Sequence, residues 1–453
     1  MAKDHQRVLR CEMSYAGAPL QFRGNAGVAA VVRQVSDTYD LQATVFDAPD
    51  FRLLRSGVVL AHRVMRSTGD WYLACPNWAP MLPREYTEPM GSADLPLELL
   101  DRLVPLWRRA PLGPVAGLDC QRQTYQLRDQ AGAVLARVRD DQVTVRRGGL
   151  TTARYREVKL VSDRATDEQF AALERLLTAS GAIVVTRFPS LQQRIGAPAT
   201  GLSDVPPPVK VSQDETVEQL AVGVVGHRLR QLVRGDLAFR AEAADSEELV
   251  RTLAGTREEL AGFSAWWEPR WWSELRTDLD QLLATEQPWR TALYASVLDR
   301  LVLASRAPAL GDGGARAADE AVRERLQQQA AAVLALGDSL AAAPEAGSTD
   351  AWRALLTATK ELGSVIELVW WLEPKLARRL RRSVRRLAAL AEPAADPLAR
   401  PDFAGLTVED AFDAGRDYEA HRRERAVARR RFAKRWPKLR AKVTGQVKPR
   451  GKR

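Results

Sequence analysis

The chain has 453 residues, a formal net charge of +10 and 45% hydrophobic residues, enough for two or three domains that each bury a core. It contains no run of 18 apolar residues and begins without an apolar leader core, so we expect neither a membrane span nor secretion. Three unspaced cysteines and four scattered histidines fit neither a disulfide framework nor a zinc site, and we therefore expect a cytoplasmic protein.

The positive charge is concentrated near the end of the sequence. Residues 421–453 contain 15 Lys and Arg and one acid, a net of +14, whereas the other 420 residues contain 52 Lys and Arg and 56 acids, a net of −4. A generally basic surface is thus excluded, and any site for a polyanion must be local. A flexible basic end also binds nucleic acid without sequence preference, so a nonspecific nucleic-acid-binding or scaffold role through the tail is one alternative.

The first part of the chain is predicted to consist mainly of strands, because alternating or β-branched runs recur along it. A break at 77–114 contains a predicted helix at 96–109, and Asp140-Asp141 is predicted to form a tight hairpin turn. This pattern favours a closed eight-stranded antiparallel β-barrel, or tunnel. The predicted strands are 7–14, 39–47, 58–65, 70–75, 115–128, 132–139, 142–148 and 151–161.

The pattern then changes to helices only, so the fold class is predicted to be α+β. A Gly- and Pro-rich linker at 196–210 separates the barrel domain, 1–195, from a helical domain, 211–442. Eight predicted helices joined by short loops favour two four-helix bundles in that domain. The basic residues 443–453 are predicted to form a disordered tail.

Paired tryptophans occur three times in the helical part, at 266–267, 271–272 and 370–371. Such side chains can stack on nucleic-acid bases. Packing in the core of a bundle is the more common use of tryptophan, and we predict that role here.

The stretch from Phe46 to Pro76 reads FDAPDFRLLRSGVVLAHRVMRSTGDWYLACP. It resembles the signature of the CYTH family, in which YFDT-x-DLRL is followed by Gly-x-x-LRxR and W-x-LKLP. Segments 134–144 and 155–161 are similar to the family's later hairpin and its WREVEVEL strand, so the resemblance covers roughly residues 7–195. The resemblance implies an eight-stranded antiparallel tunnel that binds triphosphates and usually cleaves them with Mg²⁺ or Mn²⁺. The matching residues are Phe46, Asp47, Asp50, Arg52, Leu53, Gly57, Leu60, Arg63, Trp71, Leu73 and Pro76.

The chain departs from that family where a metal would be held. Glu12 remains of the first carboxylate pair, and Glu157 remains in the later strand, where Lys159 replaces the next carboxylate. A hard cation requires several oxygen ligands, so these two candidate catalytic and metal-binding residues form a poor set. Metal-dependent hydrolysis, a barrel kept for folding or partner contacts, and metal-free anion binding stay open as alternatives. Anion binding in the tunnel would use Arg63, Arg122, Arg156 and Lys159.

The helical part resembles the CHAD domain, which often follows a CYTH domain in one chain. Residues 289–310 are similar to that family's S-x-RY-x-x-LL-x-x-L pattern, and residues 429–439 are similar to its closing helix. The resemblance implies duplicated basic motifs that bind inorganic polyphosphate. Here those motifs retain only Arg257 and Lys360, with Arg353 at a histidine position.

The helix predicted at 372–390 carries seven Lys and Arg and, after Glu373, no acid. Helical spacing puts Leu376, Leu380, Val384 and Leu387 on one side and most of the cations on the other. Such cations repel one another unless an anion binds, although a solvated face with mobile counterions is the plain alternative.

We therefore predict a protein that binds inorganic polyphosphate or another polyanion, with weak or no hydrolase activity and no membrane partner. A cofactor is expected only if the barrel is an active triphosphatase, and it would then be Mg²⁺ or Mn²⁺. The candidate polyanion-binding residues are Arg257, Arg353, Lys360, Lys375, Arg378, Arg379, Arg382, Arg385 and Arg386.

Overall fold

The protein forms two compact units in the computed structural model, which describes residues 7–90, 94–397, 401–402 and 404–447. The first unit comprises the chain up to Val205 and the segment Asp236–Ala244. The second comprises Pro206–Gly235 and the chain from Asp245 onward. Within the described residues, no helix combines the length and the apolar character that crossing a membrane requires.

The first unit is built on one antiparallel sheet, because alternating side chains along its strands suit a sheet with a core on each face. Its strands are β1 (Val8–Met13), β2 (Ala30–Arg33), β3 (Tyr39–Asp47), β4 (Val59–Met65), β5 (Thr68–Ala74), β6 (Glu85–Pro89), β7 (Gly113–Arg128), β8 (Val134–Arg147), β9 (Leu150–Ser162) and β10 (Ile183–Val184). Its helices are α1 (Arg52–Arg55), α2 (Leu97–Trp107), α3 (Asp167–Ala179) and α4 (Leu191–Ile195).

The sheet is open, so the predicted eight-stranded closed barrel is wrong. The neighbour order is β10-β1-β9-β8-β7-β3-β4-β5-β6, and β2 pairs with β7. Over the described residues the sheet therefore has ten strands, and no pairing joins the end strands β6 and β10. Closure is prevented at one edge because Val184 and Ile183 of β10 pair with β1 and occupy its free side.

The hairpin turn predicted at Asp140-Asp141 is also wrong. Strand β8 continues through both residues, and the chain reverses instead at Gly148-Gly149, where both glycines have positive φ. Aspartate favours turns locally. Here, however, each carboxylate accepts hydrogen bonds from an arginine of a neighbouring strand, Asp140 from Arg156 and Asp141 from Arg122.

Each face of the sheet has its own apolar core, which follows from the alternation of side chains along the strands. One core contains Cys11, Val138, Val158, Leu160 and, from α3, Leu173 and Leu177. The opposite core contains Val45, Ala61, Cys120, Val143, Val145 and, from α4, Ile195. The second core lies on the same face as the charged row described below.

The second unit is helical. Together with the antiparallel sheet, it confirms the predicted α+β class. Its helices, of which α5 also extends into the first unit, are α5 (Val217–Arg240), α6 (Ser246–Ala261), α7 (Pro269–Leu283), α8 (Ala292–Ala304), α9 (Ala318–Ala342), α10 (Thr349–Leu372), α11 (Pro374–Ala395) and α12 (Val408–Val447).

Helices α9 to α12 form a four-helix arrangement in which α10 packs between α9 and α11, and α12 packs against both α9 and α11. Its core contains the fully buried Trp352 and Phe432, whose rings meet edge to face. Of the paired tryptophans, Trp266 and Trp267 are buried as predicted, whereas Trp370 remains 37% exposed.

Helix α12 continues to Val447, so residues 443–447, which we placed in a disordered tail, are helical. The reason is local packing, because the last apolar position of its inward stripe, Val443, is buried. Residues 448–453 of the predicted tail lie outside the described residues.

Candidate functional site

A row of charged side chains crosses the middle of the sheet on one face. The strand registers place Glu12 opposite Glu157, Glu157 opposite Asp141, and Asp141 opposite Arg122. Side chains directly opposite one another point to the same face, so the row is continuous over β1, β9, β8 and β7.

The Arg194 side chain of α4 contacts both glutamates of this row. Its guanidinium donates to Glu157 at 2.9 Å and also to Glu12. The Arg194 and Glu157 side chains are only 16% and 14% exposed, and the guanidinium stacks over the Tyr155 ring at 4.0 Å. The two candidate metal-binding carboxylates therefore already share an internal cation.

Local structure explains why Arg194 is held at this place. Ser190 and Gln193 form a capping box that starts α4, and the Gln192 side chain donates to the Leu54 carbonyl oxygen at 3.0 Å. Ile195 anchors the end of the helix because it is buried in the apolar core of this face.

The charge balance at Glu157 follows from burial. Burial raises the pKa of Glu157, and the hydrogen bond and charge of Arg194 oppose that rise without cancelling it. A carboxylate in such a place depends on its guanidinium partner to stay ionised.

A divalent cation does not fit these residues. Two of the three carboxylates in the row, Glu12 and Glu157, are bound by Arg194, and the third, Asp141, receives Arg122 at 2.7 and 2.9 Å. Over the part of the chain that the structure describes, no group of three or more His, Cys, Asp or Glu could hold a metal ion. A hard cation needs several free oxygen ligands. In this row one oxygen each of Glu12 and Glu157 and both oxygens of Asp141 are bound by arginines, whose charges also oppose a cation.

The arginines predicted to bind an anion in the tunnel are all neutralised internally. Arg63 forms a bidentate salt bridge with Asp70, with both hydrogen bonds at 2.9 Å, and Arg122 forms a salt bridge with Asp141. Arg156 lies on the opposite face of the sheet, where its buried side chain binds Asp140 at 2.6 and 2.8 Å. These charges stabilise the sheet and are already matched.

Lys159 differs from those arginines. Register places it between Arg10 of β1 and Arg139 of β8, so three cations are neighbours on one face. Burial lowers the pKa of Lys159, and the nearby Arg139 and Arg10 lower it further. Arg139 itself is paired with Asp141 at 3.1 Å, which leaves a small cationic spot around Arg10 and Lys159.

In the second unit, α11 has one buried side and one cationic side. Leu380, Val384 and Leu387 are buried, as the periodicity predicts, whereas Leu376 is only half-buried and the neighbouring Ala377 is buried. No described carboxylate lies within ion-pair distance of the six exposed cations on its other side, which we call the α11 face. The α11 face consists of Lys375, Arg378, Arg379, Arg382, Arg385 and Arg386.

The seventh cation of the helix, Arg381, is engaged. It binds Glu367 of α10 at 2.9 Å and stacks over the Trp370 ring at 4.5 Å. Lys360 and Arg353 lie seven and fourteen residues before Glu367, so they share its side of α10. Both are exposed, and Arg353 is 3.6 Å from Asp350. They therefore lie on the side of α10 that also carries the acidic Glu367, and not on the α11 face.

Arg257 is not brought to the α11 face. It lies on α6, and its guanidinium pairs with Asp280 of α7 at 2.6 Å. Its charge is therefore largely matched.

Sequence reasoning missed three features of these sites. Arg194 has no local signature because its partners lie far away in the chain. Asp70 was detectable, since it and Arg63 are equidistant from the Arg66-Ser67 turn of one hairpin. The cations of α12 were counted with the basic end of the chain but not resolved into one exposed side of the predicted helix, although the spacing of the buried Phe432, Trp436 and Leu439 defines its inward side.

No protein-family model matches the chain. It is 27% identical over 327 residues to Rv2226, an uncharacterized protein of Mycobacterium tuberculosis H37Rv, which covers 67% of this chain and 59% of that protein. It is 29% identical over 245 residues to MT2285, an uncharacterized protein of strain CDC 1551, which covers 50% of this chain and 46% of that protein. The chain thus spans about half the length of the curated relatives it matches.

Two solved structures show similarity at low scores. The Hippeastrum protein HpAC1, for which a dominant triphosphatase activity is described, has a TM-score of 0.25 at 13% identity, covering 41% of this chain and 92% of that one. The PH1819 protein of Pyrococcus horikoshii has a TM-score of 0.22 at 13% identity, covering 40% of this chain and 91% of that one.

Proposed function

We propose that the protein binds a linear polyanion, with inorganic polyphosphate as the leading candidate, through the α11 face. The observation that carries the proposal is the set of six exposed cations on one helix with no described carboxylate in ion-pair distance. Elsewhere in the protein most arginines of the candidate sites are matched by acids, as Arg63, Arg122 and Arg257 are. The six cations of the α11 face thus differ from these matched arginines.

The physical argument concerns self-repulsion. Like charges three and four residues apart on a helix destabilise it by about 0.2–0.5 kcal/mol per pair. A polyanion that lies along the α11 face removes this repulsion and releases its own counterions, so binding is favoured at low salt. Mobile counterions around a solvated face reduce this repulsion less than a bound polyanion does, because no ligand is held in register with the cations.

Hydrolysis is proposed to be weak or absent. The row of carboxylates in the sheet is bound by Arg194 and Arg122, and these guanidinium charges oppose binding of a metal that would activate water. The spot around Arg10 and Lys159 can hold a phosphate, but a lysine does not generate a nucleophile from water as a bound metal does.

Binding is tested by charge reversal on the exposed helix surface. The R379E/R382E/R386E variant should lose high-affinity binding of polyphosphate in a calorimetric titration at 0.15 M salt while keeping its circular dichroism spectrum. A matched control, R251E/R276E/R423E, reverses three exposed cations on α6, α7 and α12 and should bind as the wild type does. Unchanged affinity in the α11 variant would overturn the proposal.

The second candidate function is a metal-dependent triphosphatase, which the CYTH-like segment favours. A phosphate-release assay with several triphosphates, with and without Mn²⁺, decides between the two. Release that requires the divalent ion and disappears in E157Q would establish hydrolysis and show that Arg194 moves away during turnover.

A further inference from the structure

Helix α12 carries a second row of exposed cations that the proposed function does not use. No described carboxylate lies within ion-pair distance of them. Their spacing of four, three and four residues keeps them on one side of the helix, directly next to the buried stripe. The row consists of Arg431, Arg435, Lys438 and Lys442.

Helices α11 and α12 run antiparallel, and two contacts fix their register. The Ser383 hydroxyl meets the Gln446 amide oxygen at 3.2 Å, and the Arg429 Nε donates to the Ala394 carbonyl oxygen at 3.3 Å. As the residue number rises along α11, the facing residue number falls along α12. Arg386 is therefore at about the level of residue 440.

The cation rows of both helices border the groove between them. On α11, Arg379 and Arg386 lie four residues before and three residues after Ser383, so they share the side that meets α12. On α12, Lys442 lies four residues and Arg435 eleven residues before Gln446, so they share the side that meets α11. Since the apolar stripes of both helices are buried, the cations are on the solvent side of this groove.

We infer that the two rows form one continuous binding strip for a polyanion. The α11 part alone, from Lys375 to Arg386, rises about 16 Å at 1.5 Å per residue. The α12 row overlaps it around Arg386 and extends it to Arg431, for a total of roughly 30 Å. The inference rests on the proposed function and adds a length requirement, because only a long polyanion reaches both rows.

The chemistry of the strip favours an extended inorganic polyphosphate over nucleic acid. Proteins that bind single-stranded nucleic acid stack its bases on aromatic side chains. Phe432 and Trp436 of α12 are buried, and the partly exposed Trp370 ring next to α11 is already stacked by the Arg381 guanidinium at 4.5 Å. The two rows are also displaced along the helix axes, which suits a flexible chain with a charge on every unit better than a rigid duplex.

The experiment compares two variants that each change the net charge by −4. K438E/K442E reverses the strip on α12, and R416E/R423E reverses two exposed cations in the first half of the same helix. Arg423 precedes Arg431 by about 12 Å of helix rise, more than the Debye length of about 8 Å at 0.15 M salt. Affinities are measured by calorimetry for long-chain polyphosphate and for tripolyphosphate.

K438E/K442E should bind the long chain about tenfold or more weakly than the wild type and bind tripolyphosphate equally well. Its slope of log affinity against log salt should be smaller in magnitude by about 2, since each lost cation removes about one counterion equivalent. R416E/R423E should match the wild type for both ligands, and K438Q/K442Q should show the same direction of change without introducing new negative charge.

Equal long-chain affinity in K438E/K442E and the wild type would overturn the strip, even if R379E/R382E/R386E abolishes binding and thereby supports the α11 face. If neither the α11 variant nor the α12 variant loses affinity for polyphosphate, both proposals are overturned. A DNA duplex that displaces polyphosphate at equal phosphate concentration would overturn the choice of an inorganic chain.

Discussion

The Arg194 guanidinium lies 2.9 Å from the Glu157 carboxylate and contacts Glu12 on the facing strand as well. One side chain thus supplies the positive charge between the two carboxylates that were predicted as candidate metal ligands. The arrangement is held on three sides, by the Tyr155 ring, by the capped start of α4 and by the buried Ile195.

Removal of this tethered cation should create a site for a divalent ion. We expect R194M to bind Mn²⁺ with an affinity on the order of millimolar, because Glu12 and Glu157 then carry unmatched charge. Titration calorimetry or the electron paramagnetic resonance signal of free Mn²⁺ measures the binding. R187M removes an exposed arginine shortly before α4 and should behave as the wild type.

The double variant R194M/E157Q should lose the new Mn²⁺ site, since one carboxylate is a weak ligand set. Binding of Mn²⁺ to the wild type that depends on Glu157 would contradict the tethered-cation interpretation.

The contact between α9 and α12 should depend on acid pH through Asp338. The indole Nε1 of Trp436 donates to Asp338 at 2.7 Å and lowers its pKa, and Arg440 lowers it further. A carboxyl group whose pKa is lower in the folded state stabilises the fold above about pH 4 and loses that effect as the pH falls through the folded-state pKa. D338N should therefore reduce the free energy of unfolding at pH 7, by less than about 1 kcal/mol because solvent screens this half-exposed carboxylate.

The difference between D338N and the wild type should shrink at pH 3, as measured by urea unfolding at both pH values. E345Q tests the surrounding electrostatics, because Glu345, which follows the end of α9, makes an exposed pair with Arg430 of α12. It should change stability by less than D338N. An equal D338N effect at both pH values would show that packing rather than ionisation is responsible.

Close packing of α9 on α12 should make Gly337 intolerant of a methyl group. A Cβ atom added there would collide with the ring of Trp436, which is 2% exposed. We expect G337A to lower the free energy of unfolding by about 1–3 kcal/mol. G363A is the matched control, because its Cβ would meet Val384 at an ordinary 3.9 Å and alanine favours a helix over glycine. Thermal unfolding of both variants should move them in opposite directions.

Features that depend on local periodicity were predictable from the sequence. The order of a strand-rich part and a helical part follows from the change in apolar spacing, and the buried stripe of Leu380, Val384 and Leu387 follows from a period of 3.6 residues. Features that depend on partners far away in the chain were not predictable from the sequence. Asp140-Asp141 has the local preference of a turn, and only the arginines of neighbouring strands make it strand.

The number of strands and the open edge of the sheet also could not be predicted from the spacing of apolar residues. The two residues of β10 carry no period of their own, yet they occupy the free edge of β1. The α12 cations were predicted to lie in the helical domain, but which of them share one exposed side becomes clear only from the burial of Phe432 and Trp436.

Arg382 offers a test that separates binding from folding. Its neighbours at three and four residues in both directions are all arginines, namely Arg378, Arg379, Arg385 and Arg386. R382E removes four repulsions and creates four attractions, each of about 0.2–0.5 kcal/mol, so the variant should be more stable than the wild type by about 2–4 kcal/mol at low salt.

The gain should fade at 0.5 M salt, because exposed charges are screened there. R381E is the control on the same helix, since it breaks the pair with Glu367 and should destabilise the protein. Urea unfolding at two salt concentrations measures both effects. If R382E is more stable yet binds polyphosphate more weakly, the repulsion on the α11 face is a cost in folding that the bound anion offsets. A variant that folds no better would mean that the arginines are too mobile and solvated to repel one another, which would also weaken the argument that an anion is needed there.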